Sequence, residues 1–127
     1  FFGGEPLMNF ETIKKLVDYG RALEKDNNKH FRFTITTNGV LLDEEKINYI
    51  NENMDNVVLS IDGRKETNDG MRKTINGKGS YDVIINNLKN FANKRGNKDY
   101  FARGTYTSGN LDFSEDVKHL RDLIKFP

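Results

Sequence analysis

Asn56-Val57-Val58-Leu59-Ser60-Ile61-Asp62-Gly63 reads as a β-strand that runs into a polar turn. Val57-Val58-Leu59 is a short apolar run, as expected of a parallel strand buried on both faces. Ser60, Asp62 and Gly63 bring turn chemistry to its carboxyl end. The same plan recurs on both sides. Phe31–Thr37 alternates Phe31, Phe33 and Ile35 with Arg32, Thr34 and Thr36, and ends in Thr36-Thr37-Asn38-Gly39. Tyr100–Thr107 is a further strand, ending in Ser108-Gly109-Asn110, and Phe1-Phe2 reads as the tail of another, followed by Gly3-Gly4-Glu5-Pro6.

Helical periodicity fills the intervals. One helix is expected over roughly Phe10 to Lys25, with Asn9 as N-cap and Phe10, Ile13, Leu16, Val17 and Leu23 on one stripe. A short one follows Asp43 and buries Ile47, Ile50 and Met54. A third starts at Ser80, read as its N-cap, and carries Tyr81, Ile84, Ile85, Leu88 and Phe91. The last starts at Ser114, with Phe113, Val117, Leu120 and Ile124 on one face. Helical connections imply parallel strands and right-handed crossovers. The fold class is therefore α/β with a parallel sheet, either doubly wound or part of a barrel. Gly63–Gly79 is the longest irregular stretch and the expected mobile loop.

Composition narrows the function. The 127 residues suit one domain, and 35% hydrophobic residues make a thin core. Twenty basic against nineteen acidic residues leave no field to hold a polyanion, so nucleic acid is not an expected partner. No apolar run reaches the roughly 18 residues of a membrane span. No secretory leader is visible, which leaves the cytoplasm as the expected compartment. The absence of cysteine excludes a disulfide scaffold, a thiolate zinc site and a cysteine nucleophile within these residues. Phe1 lies inside an apolar pair, so the chain is expected to begin within a fold.

In parallel α/β folds the carboxyl ends of the strands meet on one rim, where ligands bind. Glu5, Asn38, Ser60 and Asp62 would share that rim. Singly, each is also an ordinary turn or cap residue. Gly77-Lys78-Gly79-Ser80 fails as a phosphate loop: Arg72 stands where glycine is required, and Gly79 where Ser or Thr is. A receiver domain would need an acidic neighbour for Asp62, and none is present. His30 and His119 lack ligand spacing and read as solvated, as do the Lys and Arg residues on the helices.

Phe1-Phe2-Gly3-Gly4-Glu5-Pro6-Leu7 resembles the GGEP motif that ends the second barrel strand of radical S-adenosylmethionine (SAM) enzymes. The resemblance continues through Thr36-Thr37-Asn38-Gly39, Ser60-Ile61-Asp62-Gly63, Asn76-Gly77-Lys78-Gly79-Ser80-Tyr81-Asp82 and Arg103-Gly104-Thr105-Tyr106-Thr107. That ordered set is similar to the SPASM-containing peptide maturases, which include the anaerobic sulfatase-maturating enzymes. Arg103–Thr107 followed by Asn110-Leu111-Asp112-Phe113-Ser114 looks most like the maturases that form thioethers in six-cysteine (SCIFF) peptides. The resemblance implies strands two to five of a partial (β/α)6 barrel, so that residues 1–127 would be the central part of the barrel domain. The CxxxCxxC loop that binds the 4Fe–4S cluster would precede Phe1, and the last strand and the SPASM region would follow Pro127. Asn68-Asp69 departs from the His-Asp common in relatives.

By the same resemblance, the backbone of Gly3 and Gly4 and the carboxylate of Glu5 would hold the methionyl ammonium of SAM. Pro6 would fix the exit of the chain. Ser60 and Asp62 would meet the ribose hydroxyls or the methionyl end, and Arg72 the SAM carboxylate. Thr36 and Asn38 would line the pocket, and Arg103 would reach it or brace the barrel. The implied activity is hydrogen abstraction from a peptide or protein substrate, absent from the fragment alone. The competing reading is a non-catalytic α/β module that binds a nucleotide or protein partner at the same rim. Open strand edges and an apolar concave face also lead to an expectation of self-association, as a homodimer.

Overall fold

The computed structural model describes residues 1–124. Strands β1 (Thr34–Thr37), β2 (Asn56–Ser60) and β3 (Tyr100–Arg103) pair in parallel in the order β1-β2-β3. Phe1 extends the sheet beside β1. Its amino group donates to the Thr34 carbonyl (2.5 Å) and its carbonyl accepts from the Thr36 N–H (3.0 Å), the bond pair of a parallel neighbour. The expected α/β class and sequential strand order are what the chain adopts.

Helices occupy every connection: α1 (Phe10–Asn27) after a 3-10 turn at Pro6–Asn9, α2 (Glu44–Asn53), and α3 (Lys65–Met71) with α4 (Tyr81–Arg95); α5 (Phe113–Leu123) follows β3. Ile35, Val57 and Leu59 from the sheet join Ile47, Ile50, Ile84, Leu88 and Phe91 from the helices in one core, none more than 1% exposed. Burying each such side chain contributes about 1.5–3 kcal/mol. No described helix is long and apolar enough to cross a membrane.

Several local expectations are corrected. Strand β2 is buried on one face only: Val57 and Leu59 are sealed, whereas Val58 is half-buried. Val58 sits abreast of Thr36 and Phe101 on the face that the helices leave open. The strand expected at Phe31–Thr37 starts at Thr34, because Asp55 takes the backbone of Phe33, with its carboxylate on the N–H (2.8 Å) and its N–H on the carbonyl (2.9 Å). The strand expected at Tyr100–Thr107 stops at Arg103. There Gly104 crosses the Ile61 carbonyl so closely that a Cβ would lie 3.2 Å from its oxygen, and the Thr105 N–H turns to Asp62 (2.8 Å).

Asn9 and Ser80 make no side-chain cap. Glu5 caps the 3-10 turn through the Leu7 N–H, and Asp69 caps α4 by accepting from the Tyr81 N–H (2.8 Å). The expected mobile loop Gly63–Gly79 contains α3 and an antiparallel bridge between Lys73 and Gly79. Polar anchors order it, and hydrophobic periodicity does not report them. Arg95 is an exception to the solvated basic face. It is 3% exposed and donates to the carbonyls of Ile50, Met54 and Asp99; burial lowers its pKa. On the proposed apolar stripes, Leu16, Phe113 and Val117 are exposed.

Candidate functional site

Gly3 and Gly4 turn the chain out of the sheet with φ of 95° and 53°, left-handed values that favour glycine. No atom lies within 4 Å of where a Cβ would stand on either, so the turn is open to a ligand. Glu5 fixes the next step. Its Oε1 accepts from the Leu7 N–H (3.0 Å) and the Thr37 hydroxyl (2.8 Å), and its Oε2 from the Asn38 N–H (2.7 Å). Pro6 opens the 3-10 turn, a position where its missing N–H is not needed. The Glu5 carboxylate therefore ties the first rim segment to the end of β1.

The partner in that tie is Thr37, a residue for which the sequence suggests no role. Strand alternation could have found it: Thr37 shares the covered face with Ile35, and a buried hydroxyl needs a partner. Thr37 also accepts from the Gly39 N–H (3.1 Å). Thr36 is half-buried on the opposite, open face. The Asn38 side chain closes its own turn by accepting from the Val40 N–H (3.0 Å).

Ser60 is half-buried on the open face, in register with Arg103. The Arg103 guanidinium lies 6.0 Å from the Phe2 ring centroid, so it reaches across that face towards the Gly3-Gly4 turn. Asp62 is buried, and Arg72 grips it side-on, with Nε to Oδ2 at 2.8 Å and Nη2 to Oδ1 at 2.9 Å. Below the pair, fully buried Asn68 accepts weakly from the Asp62 N–H (3.4 Å) and donates to the Ser80 hydroxyl (3.3 Å). Ser80 in turn donates to the Arg72 carbonyl (2.5 Å).

A second buried carboxylate, Asp116, pins the turn after β2. It accepts from the Arg64 N–H and Nε (both 2.8 Å) and from the Thr67 hydroxyl (3.1 Å). Gly63 has φ 129°, and a Cβ there would stand 2.2 Å from Asp116, so only glycine fits. Burial pushes the Asp116 pKa up, but the bonds from Arg64 and Thr67 outweigh it and hold the carboxyl below its ordinary value. Asp116 has no sequence signal beyond its residue type, and Asn68 stands out only as a departure from the His-Asp common in relatives. His119 is not simply solvated: its Nε2 lies 2.6 Å from the Tyr81 hydroxyl. His30 stays at the surface, with Nδ1 3.2 Å from Glu24.

The rim thus joins open backbone at Gly3-Gly4, a hydroxyl at Ser60 and a fixed guanidinium at Arg72. Acceptors for a cation and donors for a carboxylate suit an amino-acid zwitterion such as the methionyl end of SAM. The same residues do not suit an iron–sulfur cluster. The chain has no cysteine, and among the described residues no three His, Asp or Glu side chains gather as metal ligands.

Known proteins share this fold. Residues 1–124 match the radical SAM superfamily model. An uncharacterized protein of Methanocaldococcus jannaschii is 37% identical over 122 residues, covering 94% of this chain and 41% of the relative. A cysteine-type anaerobic sulfatase-maturating enzyme of Clostridium novyi is 33% identical over 90 residues, 70% of this chain and 24% of that enzyme. Among solved structures, anSMEcpe with bound AdoMet and the Cp18Cys peptide superposes with a TM-score of 0.87 at 27% identity, covering 99% of this chain and 35% of that one. The chain spans well under half the length of these relatives. Members of the matched family use SAM together with a 4Fe–4S cluster. With its parallel sheet, its glycine turn at the rim and a match from end to end of the described residues, the chain belongs to the radical SAM superfamily.

Proposed function

We propose that this chain is the SAM-binding middle of a radical SAM enzyme that modifies a peptide or protein substrate. The observation that carries the reading is the Gly3-Gly4 turn, braced by Glu5 and sharing a rim with Ser60 and Arg72. With SAM held at this rim, the chemistry it would supply in the presence of a reduced cluster is hydrogen abstraction from the substrate by a 5′-deoxyadenosyl radical.

The residues of this chain bind and orient. The backbone carbonyls at Gly3 and Gly4 accept from the methionyl ammonium, and glycine lets the backbone approach it closely. Glu5 serves that contact by holding the turn, since its oxygens are engaged by Leu7, Thr37 and Asn38. Pro6 sets the exit angle. The Ser60 hydroxyl and the Arg72 guanidinium donate to the SAM carboxylate or ribose, and Thr36 and Asn38 border the pocket. A peptide substrate is supported by the likeness to the sulfatase-maturating enzyme and to the structure with bound peptide.

The test is to purify the polypeptide that carries this chain without oxygen, reconstitute iron and sulfide, reduce it and look for 5′-deoxyadenosine. Formation of that product is the expected result. A protein that takes up no iron and leaves SAM intact would instead be a binding module.

A further inference from the structure

Arg72 is held at both ends. Its N–H donates to the Asn68 carbonyl (2.7 Å), and its own carbonyl accepts from Ser80 (2.5 Å). Its guanidinium is clamped by Asp62 through the Nε–Nη2 edge. A guanidinium has a second edge, formed by Nη1 with the other Nη2 proton, that can also bind a carboxylate with two parallel bonds. Among the described residues, Nη1 of Arg72 takes part in no hydrogen bond, and the side chain is 28% exposed. Asp62 is the opposite. Its side chain is 1% exposed and its oxygens take three bonds, two from Arg72 and one from the Thr105 N–H.

We propose that Asp62 is a positioning residue. It does not touch the cofactor. It grips one edge of Arg72 so that the free edge meets the carboxylate of SAM, and through Thr105 it locks the loop after β3 to the same guanidinium. This rests on the SAM-binding reading above, and it replaces the direct contact with the ribose hydroxyls or the methionyl end expected from the sequence. An unclamped arginine would have to order several torsions on binding; the clamp, with both backbone anchors, sets them in advance.

The experiment measures equilibrium binding, without turnover, to the cluster-loaded, unreduced protein that carries this chain. The probes are SAM and decarboxylated SAM, which keeps the ribose and ammonium and lacks the carboxylate. For Asp62→Asn the expected result is a loss of about tenfold in SAM affinity, the scale of one charge-assisted hydrogen bond, with decarboxylated SAM binding as in the wild type. In an Arg72→Ala background, Asp62→Asn should have no further effect. Arg72→Lys keeps the charge and removes the fork, so it should give the same selective loss; it serves as the readout if Asp62→Asn does not fold. Equal loss for both probes, or an undiminished loss in the Arg72→Ala background, would overturn the inference, because Asp62 would then act on the ribose or on the loop alone. Wild-type protein that binds neither probe would overturn the SAM reading itself.

Discussion

On the covered face of the sheet, Ile35, Val57 and Leu59 are sealed to 0% exposure against the helices. On the other face, Thr36, Val58 and Ser60 are half-buried and Phe101 is 56% exposed. The two rows alternate along the same parallel sheet, one residue apart. Apolar contact is concentrated on the first row, so stability should reside there. The second row carries hydroxyls and a guanidinium, and the turns at its rim are tied by the carboxylates of Glu5, Asp62 and Asp116 rather than by packing. Fold and site are therefore maintained by different forces, and substitutions should separate them.

The sharpest way to break this contrast is to truncate one side chain on each face. Leu88→Ala should cost about 2–5 kcal/mol by opening a cavity in the sealed core, whereas Val58→Ala should cost about 1 kcal/mol or less. Urea midpoints give both values, and equal losses would mean that the open face is as tightly packed as the other. Next in size is Asp116→Ala, expected to cost about 2 kcal/mol. That is below the loss for a fully buried pair, because Arg64 keeps 34% of its side chain in solvent.

Asp116 also gives the contrast a pH signature. Its carboxyl is held below its ordinary value in the folded chain, so the unfolded chain binds the proton more tightly. The stabilisation is complete above about pH 4, the range of a free carboxylate, and is lost as the pH falls through the lowered folded value. Stability measured from pH 5 downward should therefore fall less in Asp116→Ala than in the wild type. Parallel curves would show that the turn after β2 does not depend on this charge.

Glu5→Ala tests the function of the rim. In the complete protein it should weaken SAM binding about tenfold to a hundredfold, equivalent to 1.5–3 kcal/mol, while far-UV circular dichroism stays unchanged. Normal SAM affinity would mean that the Gly3-Gly4 turn does not need Glu5 to hold it. The smallest effect is expected at the open face. The cavity of about 680 Å³ between β3 and α5 is bordered by Phe101, Phe113 and Val117. Light scattering of the 127-residue chain should give a mass above 14.6 kDa, and Phe101→Ser should weaken the association by about 1 kcal/mol. A monomeric wild type would mean that this apolar border is too dispersed to pair.

The sequence by itself determined the α/β class, the parallel order and the rim. Val57-Val58-Leu59, the helix beginning at Tyr81 and the polar turns at Glu5, Asn38 and Asp62 are local patterns, and periodicity reads local patterns directly. It also placed Glu5, Asn38, Ser60 and Asp62 on one edge, because in parallel strands all carboxyl ends share a side. Only the tertiary structure decided what each polar group binds. Thr37 meets Glu5, Asp69 rather than Ser80 caps α4, and Asp62 spends its oxygens on Arg72 and Thr105. These partners lie 10 to 43 residues apart. A hydrogen bond is specific to within tenths of an ångström, whereas the hydrophobic pattern that directs folding is non-directional and carries no record of such pairings.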